Sequence, residues 1–421
     1  MNYRKLFLLE VVMLLPLLSV VAQEDKMQLD TIPEKSGYTS DLQKGINSIT
    51  TFFMLEDDKE KNTLLRLPLI DSLSQPYYDW KRQLNERTGF IYSLTYSSTN
   101  MWGRSSPEKV WDYSGSGFLK FYSRWTLVNR NKLNTGVLAV GVDHRHSYSP
   151  FPPGSLGFEL GYNGIPALLF TDAKWMLIDL NWQQKFNNGR TGVIIGRYDP
   201  NDYFDVLGYV NPFTTFQNLA ILLNPSIAFP DLSTGIGASH WITDQVLISA
   251  TVNDANGLGT EVKFFNDFDE LYKSVELSWS PSRDMRFFKN FHVTYWHADA
   301  RDRAELEESQ GIAIGGNWTF HETLMPFFKA GWSQGSAPIY SQSYTGGFIL
   351  KPNLNKDLFG LGVNWGQTQS DIWQFSSELF YRFQFSQNFA ITPSVQYFKN
   401  PALDPNLNSA FVVGLRGRLA L

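Results

Sequence analysis

Charged and aromatic side chains recur two residues apart in several stretches of this sequence. Lys120, Tyr122 and Arg124 form one such row, Glu378, Phe380 and Arg382 a second, and Arg416 and Arg418 a third. Trp175 and Asp179 share the parity of KWMLIDLNWQ, while Glu276 and Arg197 sit in further stretches of the same texture. Charges spread over many segments suit weak, repeated hydrogen bonding to a hydroxyl-rich solute, and planar rings beside them suit its C–H faces. Such contacts must be weak enough to let the solute leave. For any one of these residues the alternative is a solvated wall position, or an ion pair that braces the wall.

Covalent or metal chemistry finds less support. The sequence has no Gly-x-Ser-x-Gly elbow, phosphate-binding loop or His-Glu-x-x-His pair. Cysteine is absent, which removes disulfides, thiolate metal sites and a cysteine nucleophile. Asp199, Asp202 and Asp205 suggest calcium at first sight, but their spacing lacks the glycine and the terminal glutamate of a calcium loop. His144 and His146 share a strand face with no third ligand in view. No metal or cofactor is expected. The formal net charge of −5 offers no basic surface for nucleic acid.

The elements that carry these side chains must have a period of two. In SELFYRFQF, Leu379, Tyr381, Phe383 and Phe385 share one face, and Glu378, Phe380, Arg382 and Gln384 the other. A helix, with 3.6 residues per turn, would mix these sets. In LFGLGVNWG the alternation sets Phe359, Leu361, Val363 and Trp365 opposite Gly360, Gly362 and Asn364. The last stretch sets Phe411, Val413, Leu415 and Leu419 opposite Arg416 and Arg418. KWMLIDLNWQ reads as Met176, Ile178, Leu180 and Trp182 against Trp175, Leu177, Asp179 and Asn181.

The apolar faces are broad, aromatic and almost free of charge, which matches strands with lipid on one side and water on the other. Arg or Lys on the lipid face would cost about 2–4 kcal/mol at mid-membrane, so the charged rows are expected to face inward. Aromatic residues make up 15% of the chain, enough for girdles at both membrane boundaries. Connections alternate between short, such as Asn188-Gly189 and residues 386–388, and long, such as 299–309 and 399–408. Segmentation gives about sixteen strands from near residue 88 to Leu421: an all-β, transmembrane antiparallel barrel. The longest connection, 199–231, holds the apolar run LAILL at 219–223 and is expected to fold into the barrel and narrow it.

Before the barrel, Arg4 and Lys5 lead an apolar stretch, and Val20 and Ala22 stand at −3 and −1 of a cut before Gln23. Residues 1–22 therefore read as a secretory signal peptide. Residues 23–87 are more polar and are expected to form a periplasmic segment, partly disordered, with a short helix near 77–87.

The run DLFGLGVNWGQ…ELFYRFQFSQNFAITPSVQYFKNPALDP…FVVGLRGRL closely resembles the carbohydrate-selective porin family of OprB type. GRYDPNDYFD at 196–205, VDHRHSYS at 142–149 and WKRQLNERTGF before the first strand resemble it too. The resemblance covers roughly residues 78–421 and implies a sixteen-stranded outer-membrane barrel that passes monosaccharides and related small solutes by diffusion. Residues 23–77 match no part of that pattern. The partners so implied are small carbohydrates, outer-membrane lipids and the barrel-assembly machinery, which would read the C-terminal strand. The alternatives are a general non-selective porin and an outer-membrane barrel enzyme of the lipase or acyltransferase class, for which His144, His240 and His297 would be the residues to test.

Overall fold

The structure, a computed structural model, describes residues 47–58, 61, 68–105, 111–262, 264, 268–351 and 357–421; the expected signal peptide lies outside the described residues. The period-two stretches form sixteen strands: β1 Phe90–Arg104, β2 Asp112–Val128, β3 Gly136–Ser147, β4 Lys174–Phe186, β5 Thr191–Tyr198, β6 Ser233–Trp241, β7 Val246–Asp254 and β8 Leu271–Trp279. The second half comprises β9 Lys289–Ala298, β10 Ser309–Trp318, β11 Leu324–Gln334, β12 Tyr340–Leu350, β13 Leu358–Thr368, β14 Trp373–Gln384, β15 Phe389–Lys399 and β16 Ser409–Ala420. Each strand pairs antiparallel with its sequence neighbours, and β1 pairs with β16, so the sheet closes on itself. Closure leaves no row of backbone N–H and C=O groups open to hydrocarbon, where each would cost several kcal/mol (roughly).

Burial follows the alternation. On β16, Val413, Leu415 and Leu419 are exposed on the outer face, whereas Val412, Gly414, Arg416 and Ala420 are buried inside. One end of the barrel carries mostly short turns. Between β4 and β5, Asn187, Asn188 and Gly189 all take positive φ (52°, 55° and 77°), which Asn and Gly tolerate and which turns the chain within a few residues.

The regular alternation fails in β4. Gly141 of β3 pairs with Asp179, but Val142 pairs with Leu177, so Ile178 is an extra, bulged residue. The bulge shifts the faces by one residue. Met176, Ile178, Asp179 and Asn181 are buried inside, and Trp175 points out of the barrel, 64% exposed, with its ring 4.5 Å from that of His144. Trp175 is therefore not a lining residue; the single parity read over KWMLIDLNWQ holds only on one side of Ile178.

Among the described residues two helices precede the barrel, α1 Ile49–Asp57 and α2 Pro68–Thr88. The Ser48 hydroxyl caps α1 by accepting from the Thr51 amide at 3.1 Å. Helix α2 lies at the end where β1 starts and β16 finishes: the Tyr77 and Tyr92 hydroxyls are 2.9 Å apart, and Asn388 donates to the Tyr78 hydroxyl. Helix α1, by contrast, is inside. Phe53, Met54 and Leu55 are buried, with Met54 and Leu55 packed on Ile91 and Tyr122 of the wall. The polar composition of residues 23–87 hides this short apolar run, TFFML, which cannot rest in water without cost.

Candidate solute pathway

The connection 199–232 enters the lumen and packs on the inward faces of the strands opposite its own. Leu219, Ala220, Ile221 and Leu222 are buried, and Phe216 stacks edge-on against Phe380 with ring centres 4.9 Å apart. The apolar run thus finds Met325, Phe327, Ile349 and Leu358 inside the barrel. A second connection, 148–173, which the sequence reading passed over, also turns inward. Leu156, Leu160, Tyr162 and Phe170 bury against Met101, Phe118, Phe398 and Val412. The two connections bond to each other, Leu168 N to Gln217 O at 3.0 Å and Leu219 N to Ile165 O at 2.9 Å.

Several charges expected to line the lumen hold the first of these loops. Glu378 accepts from the backbone amides of Gln217 and Asn218 at 2.8–2.9 Å. Arg416 donates to Pro212 O at 2.9 Å and to Thr215 O at 2.7 Å. Glu276 accepts from the Asp205 amide at 2.7 Å and from the Thr294 hydroxyl at 2.8 Å. Asp205 itself meets Lys329 Nζ at 3.1 Å and His292 Nε2 at 2.9 Å, all three nearly inaccessible. Burial alone would raise the Asp205 carboxyl, but Lys329, and then His292, hold it below the usual carboxylate range. Asp205 is thus committed to this pair and not to an acidic cluster with Asp199 and Asp202.

Arg197 is buried at the outer rim although Ile195, of the same parity, is 43% exposed. Gly196 between them sits at φ 124°, beside the β4 bulge, and lets the strand depart from its regular twist. The guanidinium donates to Leu177 O and to Leu258 O, both at 2.6 Å.

The remaining predicted residues face a different part of the lumen, along β2 to β4. Lys120 pairs with Asp143 at 3.7 Å and lies over the rings of Phe213 and Tyr122, at 5.4 and 5.9 Å. Asp143 also accepts from Arg145 at 3.0 Å. Asp179, brought inward by the bulge, accepts from Asn181 at 3.2 Å on one oxygen. Its second oxygen has no protein partner among the described residues. Arg124 reaches Gln183 Oε1 at 2.8 Å and Thr51 Oγ1 at 3.2 Å. On the other side, Arg418 forms a two-pronged pair with Asp57, at 2.9 and 2.5 Å, and Arg382 borders a recess with Phe53, Asp57, Tyr209 and Lys351. Phe213, Asp143 and Arg145 were not singled out from sequence; for Asp143 and Arg145 the signal was present, since they share the inward parity of β3.

A barrel of sixteen strands, narrowed from inside by a loop after β5 and lined by fixed charges, is the architecture of a porin. The profile described as "Carbohydrate-selective porin, OprB family" matches residues 289–421. That stretch, β9 to β16, is the second half of the barrel. The likeness extends over the barrel in three dimensions: the high-pH structure of Pseudomonas putida OprB superposes with a TM-score of 0.67, covering 82% of this chain and 97% of that one at 13% identity. The low-pH structure of the same protein gives 0.53 over 83% and 98%, at 12% identity. Porin AaxA of Chlamydia pneumoniae is 22% identical over 259 residues, which are 58% of this chain and 59% of that relative's length. The matched residues contain β9 to β16, and with them Glu378, Phe380, Arg382, Arg416 and Arg418. Lys120, Asp143 and Asp179 lie outside the matched residues, so their role rests on geometry.

Proposed function

We propose that this protein is an outer-membrane porin that passes small solutes by diffusion and favours sugars. The observation that carries the reading is the group of Lys120, Asp143, Tyr122 and Phe213 beside the inserted loop. The cation can donate to hydroxyls, and the half-buried ring of Phe213 can take the C–H side of a pyranose, while Asp143 and Tyr122, both buried, hold the cation in place. All are held on rigid strands or on a loop stitched to the wall, so the site is preorganised without binding tightly. The OprB-family match and a relative named as a porin support a channel rather than an enzyme. The outward apolar band supports insertion among outer-membrane lipids, and β16, the strand that closes the barrel on β1, is the segment we assign to recognition by the assembly machinery.

Liposome swelling with the purified, folded protein tests this. Entry of monosaccharides ahead of di- and trisaccharides, and ahead of amino acids of similar size, is expected. Equal entry of all small solutes would leave a general porin. No entry through barrels that show heat-modifiable gel mobility, whether or not residues 47–58 are present, would remove the channel reading.

A further inference from the structure

Helix α1 crosses the lumen at the end where the strands are joined by short turns. Its nine residues span about 14 Å. At its start, Asn47 receives Lys185 Nζ, from the end of β4, and Arg286, from the β8–β9 turn, each at 3.4 Å. Midway, the Thr51 hydroxyl sits between the Tyr122 hydroxyl at 3.0 Å and Arg124 Nη1 at 3.2 Å. At its end, Asp57 grips Arg418 of β16, and Asp58 takes Lys81 of α2 at 2.8 Å. Phe52 lies against Phe287 and Tyr209, with ring centres 4.9 and 5.9 Å apart, and Phe53 lies 6.3 Å from Phe213. The helix therefore touches β2, β4, β16, the β8–β9 turn and the inserted loop together. A solute leaving the Lys120 site toward this end meets α1 in its path.

The way α1 is held differs from the way the barrel is built. Its contacts with β2, β4 and β16 run through side chains: no backbone ladder joins it to any strand. The wall is closed without it, because β1 already pairs with β16. Removing α1 costs the barrel no strand pairing and leaves the wall groups Tyr122, Arg124 and Arg418 facing a water-filled lumen. We propose that α1 is a built-in gate: a plug that closes the turn-side mouth of the pore while the Asp57–Arg418 pair latches it, and that opens the pore when it swings out. This rests on the porin reading above.

The chain has no cysteine of its own, so a single Leu55→Cys substitution gives a reporter on the buried face of α1. The test compares single-channel conductance and labelling by a membrane-impermeant maleimide in Leu55→Cys and in the same chain with Asp57→Arg, with Arg418→Asp, or with both. Heat-modifiable mobility establishes folding of each. Either single reversal should raise labelling at least ten-fold and conductance several-fold, and the double reversal, which restores an opposite-charge pair, should return both. Faster labelling with unchanged conductance would overturn the gate, since α1 would then leave without opening anything. Unchanged labelling in both single reversals would overturn the latch. A deletion of residues 47–58 that conducts no better than the parent would overturn the gate while the pore stands. Folded barrels that never conduct, with or without residues 47–58, would remove the gate and the porin reading together.

Discussion

Loop 199–232 and helix α1 both occupy the lumen, and they are fastened differently. Loop 199–232 is bound to the wall mostly through its backbone. Glu378 takes two of its amides, Glu276 a third, and Arg416 two of its carbonyls. Its apolar middle adds a packed core with β11 to β14. Helix α1 satisfies its own backbone internally and meets the wall through side chains, chiefly Thr51 and Asp57. Buried main-chain groups need partners wherever they lie, so a loop can be welded in place, whereas a helix can leave as a unit. One obstruction is a fixture that shapes the pore, and the other is removable.

Breaking the fixture should have the largest effect. Asp205→Ala strands Lys329 in a buried site and should cost about 3–5 kcal/mol, read as a lower temperature for the heat-modifiable transition, with loop 199–232 becoming open to protease. Glu378→Gln keeps the shape but weakens three charge-assisted bonds and should cost about 1.5–3 kcal/mol by the same assay. A change of pH should act on both obstructions. Burial would raise the Asp57 carboxyl, but Arg418 holds it below its ordinary 3.8. Its stabilising contribution is complete above that value and is lost as pH falls through the lower, folded one. Single-channel conductance should therefore rise in strong acid and not between pH 5 and 7. Asp199 runs the other way. Burial, and then the neighbouring Asp202, push it up to about 8, so it is neutral at pH 7 and ionises as pH rises toward 9. Reversal potentials should shift toward cation preference over that interval. Thr51→Val should cost about 1 kcal/mol of α1 docking, visible as faster labelling with no change in the barrel transition. The smallest effect is expected for Trp175→Ala, less than two-fold in swelling, because that ring faces out.

Much of the barrel was legible along the chain. Alternation in β13, β14 and β16 placed Glu378, Phe380, Arg382, Arg416 and Arg418 inside, because a charge on the lipid face is too costly to be an option. The apolar LAILL run pointed loop 199–232 into the barrel for a similar reason. Trp175 was misplaced because a bulge is a property of two paired strands, and nothing in the residues around Ile178 announces it. The role of the charges was also beyond reach. Whether Glu378 meets a solute or the amide of Asn218 depends on which backbone arrives opposite it, 160 residues away in sequence.

Sequence alone determined a closed antiparallel barrel, its start near residue 88 and which face of most strands meets lipid. These follow from local period, turn chemistry and the price of polarity in hydrocarbon. Only the tertiary structure decided what else fills the lumen: the second inserted loop, 148–173, and the nine residues of α1 drawn from a segment of polar composition. Packing inside a closed wall is set by which distant groups meet, and a one-dimensional pattern carries no distance between them.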